Sequence, residues 1–230
     1  MSATALQFWP RMRRVERAAW TAITRCVRAR KLESMPLPIP IEEWIEGPLG
    51  IRFSIADLSH LGPHTLGRAR PQDREIEVSD TLVNDEARFR FTAAHELGHV
   101  VLHAKVSAEF REEADRDFYE KAIEREADRF AAAFLMPIPS LCVELAAAAS
   151  TAGVEVHDLL RGVRVGDTPH REAFRKQILP SLARRFGVSI TATAHRFSDI
   201  ELATGEVAVP YEAVLNVLAG APARDVRNKK

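Results

Sequence analysis

The stretch Phe91-Thr-Ala-Ala-His-Glu-Leu-Gly-His-Val-Val-Leu-His103 limits what this chain can become more than any other. Phe89, Phe91, Leu97, Val100, Val101 and Leu102 make it apolar enough to be a core helix, yet it carries His95, Glu96 and His99. Four residues advance an α-helix by about 400°, so His95 and His99 project from nearly the same face, one turn apart. Two imidazoles so placed can grip one Zn²⁺. Glu96 falls about 100° round the cylinder, beside the metal but not on it, where it can accept a proton from water. Zn²⁺ brings the pKa of a water it binds down towards about 7. The pattern therefore predicts a hydrolytic metal centre with His95 and His99 as metal ligands and Glu96 as its catalytic base.

A catalytic zinc takes three protein ligands and leaves one position open. The third must come from elsewhere, and the segment Glu109 to Asp128 carries nine acids against four bases, making it the obvious donor. It runs without a breaker into Arg129-Phe-Ala-Ala-Ala-Phe-Leu-Met136 and is stopped by Pro137 and Pro139, which reads as one long helix or two abutting ones. Glu124 and Asp128 are four apart and can share a face, whereas Glu126 lies about 200° from Glu124 and points elsewhere. Glu124 is then a carboxylate ligand, and Asp128 the acceptor that holds the free N–H of a liganding imidazole and fixes its tautomer. Spacing alone leaves Glu120, one turn earlier, open. His103 lies a further turn beyond His99, outside comfortable reach of the metal, and takes a supporting role. Tyr119, His103 and Arg90 are the candidates for stabilising a transition-state oxyanion, with Tyr119 the one singled out.

The remaining chain places this centre. Residues 11–31 form an amphipathic pattern, with Met12, Val15, Ala19, Ile23, Cys26 and Val27 on one side. Arg11, Arg13, Arg14, Arg17, Arg25, Arg28 and Lys31 occupy the other, read as the solvated face of a packed helix. Pro36, Pro38 and Pro40 make an extended linker, and Ile41 to Glu46 a short helix. Strands are expected at Ile51–Ile55, Thr65–Ala69 and Glu75–Val78, forming a small antiparallel sheet exposed on one face. His60 and His64, between the first two strands, read as surface residues. Asn84 is the expected cap of the metal helix, with Asp85 and Glu86 in its first turn. Gly98 inside that helix costs about 1 kcal/mol relative to alanine, which suggests that another element approaches closely there.

Beyond Pro139, Leu141–Ser150 and Val154–Leu160 read as helices and Arg161–His170 as a mobile loop. Leu182-Ala-Arg-Arg-Phe-Gly-Val-Ser189 has helix, glycine turn and serine cap in the order of a helix-turn-helix, but the second helix, Ile190 to Ser198, offers only Arg196 as a strong phosphate or guanine contact. Packing or substrate docking is therefore favoured over DNA binding. Glu206–Val209 is an expected strand and Tyr211–Leu218 a helix, with a disordered polar tail ending in Arg227-Asn-Lys-Lys.

Lys plus Arg and Asp plus Glu are 32 each, so no whole-molecule field draws the chain to nucleic acid or anionic membrane. Two cysteines, Cys26 and Cys142, are too few for a disulfide framework and read as small buried apolar residues in a reducing compartment. With no membrane-length apolar run and no signal peptide, the expected location is the cytoplasm.

Taken together, His95-Glu-Leu-Gly-His-Val-Val-Leu-His103, Glu124-Arg-Glu-Ala-Asp-Arg-Phe-Ala131 and Phe134-Leu-Met-Pro137 resemble the ImmA/IrrE-type zinc metallopeptidases, and the likeness extends back to about Ile41. The resemblance places the family's ligand glutamate on Glu124 and so breaks the tie with Glu120. It implies an α+β fold with a zincin-like core and a helical, helix-turn-helix-like subdomain. The implied divisions are 1–40 (helix and linker), 41–138 (metallopeptidase core), 139–204 (helical subdomain) and 205–230 (C-terminal segment). It also implies one Zn²⁺ per chain, with Mn²⁺ as the alternative, and a cytoplasmic endopeptidase that cleaves a helix-turn-helix repressor or antitoxin. The competing expectation is a DNA- or protein-binding regulator that uses residues 174–200 and leaves the metal site structural or idle. About thirty residues follow Ile200, short of the sensor domain that some relatives carry.

Overall fold

A computed structural model describes residues 3–104, 113–202 and 205–220, with side chains from residue 13 onward and, after the first gap, from 119. The chain is mixed α+β: a three-stranded sheet and a majority of helices. It divides into two compact units, Met1–Pro137 and Ile138–Lys230. Among the described residues no single helix is long and apolar enough to cross a membrane.

In the first unit, α1 (Ala3–Ala29) buries Val15, Ala19, Ile23 and Cys26, the apolar stripe expected from its periodicity. Helix α2 (Ile41–Glu46) buries Ile41, Trp44 and Ile45. Three strands follow: β1 (Arg52–Ala56), β2 (Gly67–Arg70) and β3 (Glu75–Ser79). Their order is β1-β3-β2, and here the expected antiparallel sheet is corrected. β2 and β3 are an antiparallel hairpin, but β3 returns between β2 and β1 and lies parallel to β1, with Phe53 beside Ile76 and Ile55 beside Val78. Residue alternation reveals which face of a strand is buried, not which strand it pairs with. Ile76 and Val78 of the central strand are fully buried. Its alternate residues, Glu75 and Glu77, meet Arg52, Arg68 and Arg70 across the outer face, where opposite charges on neighbouring strands attract.

Helix α3 (Glu86–Leu102) begins one residue later than expected: Asp85, not Asn84, is the cap, and its carboxylate accepts from the Arg88 amide at 3.1 Å. Helix α4 (Glu113–Leu135) packs against α3 and α1. Gly98 lets α3 and α4 close up. A Cβ there would lie 3.1 Å from Ala127 Cα and 3.2 Å from Phe130 Cβ, the close approach its sequence position suggested. Phe130 stacks on Phe134, and Trp44 meets Phe134 edge-on, so α2 and α4 share one aromatic cluster.

The second unit is helical: α5 (Ile138–Thr151), α6 (Val156–Val165), α7 (Thr168–Ala173) running through a π-turn at Phe174–Ile178 into α8 (Leu179–Phe186), then α9 (Ile190–Asp199) and α10 (Tyr211–Ala219). The expected loop at Arg161–His170 is a tight helix–helix corner instead. Gly166 is the left-handed cap of α6, Asp167 caps α7, and Gly162 is helical, its missing side chain making room for His170. The expected strand at Glu206–Val209 reduces to a single bridge between Glu201 and Val207. Cys142 is exposed, contrary to expectation, whereas Cys26 is buried and burial pushes its thiol up to about 11. The tail at Arg227–Lys230 lies outside the described residues.

Candidate metal centre

The α3–α4 packing brings three ligand-bearing side chains to one point. His95 Nε2 lies 3.1 Å from His99 Nε2 and 3.2 Å from Glu124 Oε2, and His99 Nε2 lies 3.5 Å from Glu124 Oε1. A tetrahedral ion with bonds of about 2.0–2.1 Å holds its ligand atoms about 3.3 Å apart, close to the separation of the two imidazole nitrogens and to that of each from its nearer Glu124 oxygen. Among the described residues His95, His99 and Glu124 are the group able to hold a metal. Two imidazoles and a carboxylate are a donor set suited to zinc. Glu120 lines an open cleft of about 490 Å³ with Lys121, Glu124 and Arg125 but is not part of this convergence.

Asp128 lies 2.8 Å from His95 Nδ1, so the N–H there donates to its carboxylate and Nε2 keeps its lone pair for the cluster. His103, the C-cap of α3, is buried, and neither of its nitrogens faces the cluster: Nδ1 lies 3.1 Å from His99 Nδ1, and Nε2 3.2 Å from Glu126 Oε2. Glu126 does point away from Glu124, as helical geometry requires, but towards His103 and Arg14. The sequence reading set Glu126 aside as pointing elsewhere and gave Arg14 no part in the site. The signal for Glu126 was present, an acid about 200° from Glu124 on a helix that packs against a third histidine. For Arg14, a residue 112 positions away, there was none.

Glu96 is buried beneath β2: a Cβ on Gly67 would fall 2.5 Å from its Oε1. Burial pushes the Glu96 carboxyl up to about 7; His95 opposes this and Glu124 reinforces it. Burial also works against a charge on His95, but hydrogen bonds to Asp128 and Glu124 outweigh it and raise the imidazole to about 10. His99 is driven the other way, by its own burial and then by the charge on His95. The Glu124 carboxyl is held below its ordinary range by its hydrogen bond to His95. Asp128 and Glu124 thus hold a proton on His95, a positive charge that a bound cation would replace.

Arg90 is occupied elsewhere, donating to the Ile39 carbonyl at 2.8 Å in the interior. Tyr119 is half-buried on α4, about 140° round the helix from Glu124. His60 and His64 are exposed. In the second unit α8, Gly187 and α9 do make a helix, tight turn and Ser189-capped helix. Arg196, the one strong cation that the second helix could have offered to DNA, is 0% exposed, in keeping with the favoured packing role.

An α+β chain whose core helices converge two histidines and a glutamate, with a second, buried glutamate alongside, has the makings of a metal-dependent hydrolase. The profile of Peptidase M78, the IrrE N-terminal-like domain, matches residues 64–198, and the chain belongs to that family. A solved structure of a Mycobacterium tuberculosis transcriptional regulator is similar at 16% identity with a TM-score of 0.46, the overlap covering 83% of this chain and 48% of that one. The chain therefore spans about half the length of that relative. No curated protein sequence matches it.

Proposed function

We propose that the chain is a cytoplasmic zinc-dependent endopeptidase with a zincin-type core, which cleaves a helix-turn-helix repressor or antitoxin at a defined site. The observation that carries the reading is the convergence of His95, His99 and Glu124 with Glu96 buried alongside. A zinc ion held by the three ligands would supply a Lewis acid for the scissile carbonyl and make water more acidic. Glu96, poised near neutrality, takes the proton of the attacking water on its carboxylate and returns it to the departing amide nitrogen. Asp128 holds the His95 ring through Nδ1 and leaves Nε2 free to take up the ion. β2 lies at the edge of the sheet and packs on α3, so an extended substrate can pair with its open side. Tyr119 is assigned the developing oxyanion on sequence grounds alone.

The DNA-binding form of the regulator reading is weakened, because Arg196, the one strong cation on its second helix, is internal. The test is incubation with the helix-turn-helix protein encoded beside the gene, with and without chelator. Glu96→Gln should keep stoichiometric zinc and lose about 10²–10⁴-fold in cleavage rate. Unchanged cleavage by that variant would sink the mechanism.

A further inference from the structure

His99 is tied into the fold by a line of polar groups that ends on another helix. Its Nδ1 faces His103 Nδ1 at 3.1 Å, His103 Nε2 faces Glu126 Oε2 at 3.2 Å, and the same oxygen accepts from Arg14 Nη2 at 2.8 Å. One condition sets the direction of every bond. An imidazole offers its Nε2 lone pair to a metal only when its hydrogen is on Nδ1. His99 then donates from Nδ1; His103 accepts at Nδ1, carries its own hydrogen on Nε2 and donates it to Glu126. Each donor meets an acceptor, and turning either ring over would break two bonds. Glu126 and His103 are buried, Glu126 to 3% exposure, so the carboxylate needs a cation. α1 brings one from the surface in Arg14, itself 56% exposed.

We infer that Arg14 and Glu126 are positioning residues for the metal centre, acting through His103 to hold the His99 ring, so that α1 is part of the site. The inference rests on the reading of His95, His99 and Glu124 as ligands. Both imidazoles are oriented by carboxylates of α4, the helix that bears Glu124: His95 directly by Asp128, and His99 through His103 by Glu126, which Arg14 ties to α1. Outer groups that orient a metal-binding histidine are worth about 10–100-fold in metal affinity. The profile-matched region begins at residue 64, so Arg14 is a contribution from outside it.

The experiment measures zinc dissociation constants of the full chain by competition with a chromophoric chelator, alongside unfolding of the zinc-free protein. Glu126→Gln should bind zinc about 10–100-fold more weakly, and Arg14→Ala about 3–10-fold. Arg14→Lys keeps the cation and should restore most of the affinity. The double variant should be no weaker than Glu126→Gln alone, because both act along one line. Arg17→Ala, an exposed cation of the same helix, should change nothing. Val15→Ala removes core packing from α1 without touching the line, and at equal loss of stability it should leave affinity intact. Affinity within twofold of wild type in both Arg14→Ala and Glu126→Gln would overturn the inference, as would an equal loss in Val15→Ala. Arg14 is at the surface, so its variants carry the test even if Glu126→Gln does not fold. If the unaltered chain takes no zinc, or His99→Ala takes it undiminished, the metal-site reading itself has failed, a distinct result.

Discussion

Gly67→Ala places a methyl group where the structure has room for none. Its Cβ would lie 2.5 Å from Oε1 and 2.8 Å from Cγ of Glu96, and 2.8 Å from Cγ2 of Thr92. Carbon atoms settle about 3.5–4.0 Å apart, so the stem of Glu96 has to retreat by roughly 0.7–1.2 Å or β2 has to lift by as much. The carboxylate tip can swing away cheaply by rotation about its outer bonds; Cγ moves only if χ1 leaves its staggered well. Overpacking of this kind costs about 1–3 kcal/mol, and the stiffer unfolded chain of an alanine variant offsets about 0.4–1 kcal/mol. The net expectation is a modest loss, on the order of 1 kcal/mol, read from urea denaturation of the zinc-free protein. The larger effect falls on chemistry, because a misplacement of about 1 Å in a catalytic group costs about a hundredfold in rate. None of the three nearest atoms belongs to His95, His99 or Glu124, so zinc content should stay at one per chain. The signature is therefore a folded, fully loaded protein that cleaves the proposed repressor substrate about a hundredfold more slowly. Cleavage within threefold of wild type would refute the argument that β2 fixes the base.

Other outcomes follow from the same geometry. Glu124→Ala should weaken zinc binding by more than about a hundredfold, beyond what an outer partner costs, while Glu120→Ala should not, as equilibrium dialysis can check. His95, raised to about 10, holds its proton at pH 8, so zinc binding there should release about one proton, read by calorimetry in buffers of different ionisation enthalpy. The raised value also fixes a sign. The His95 contribution to zinc-free stability is full below its unfolded pKa of about 6.5 and is lost as pH rises through about 10, so stability that climbs across that window would contradict it. Arg196→Ala should cost about 3–5 kcal/mol in thermal unfolding, as for a buried charge removed from its surroundings; a surface-like change below about 0.5 kcal/mol would show that the residue is not internal.

The two helices that carry the centre were legible because their signals are local. Apolar spacing marks the buried side of α3, and four-residue spacing sets His95 against His99 and Glu124 against Asp128. Pairing in space was not. The parallel run of β1 beside β3 depends on how β3 returns through the sheet, and no residue pattern within a strand encodes that. Glycine misled at Arg161–His170 because a sequence does not distinguish a glycine that frees the chain from one that admits a neighbour, as Gly162 admits His170. Arg196 shows the limit of such reading: a helix with a single strong cation argues against DNA, but its spacing does not say that the cation is buried. The line from His99 to Arg14 needed three elements in place, α3, α4 and α1, before any of its bonds could be seen.

The most direct test of the centre is X-ray absorption at the zinc edge of the loaded full chain. Two imidazole nitrogens at about 2.0–2.1 Å and a carboxylate oxygen at about 2.0–2.2 Å are expected, the nitrogen signal falling by half in His99→Ala. A sulfur shell at about 2.3 Å, or a spectrum indifferent to that substitution, would place the metal elsewhere and contradict this centre.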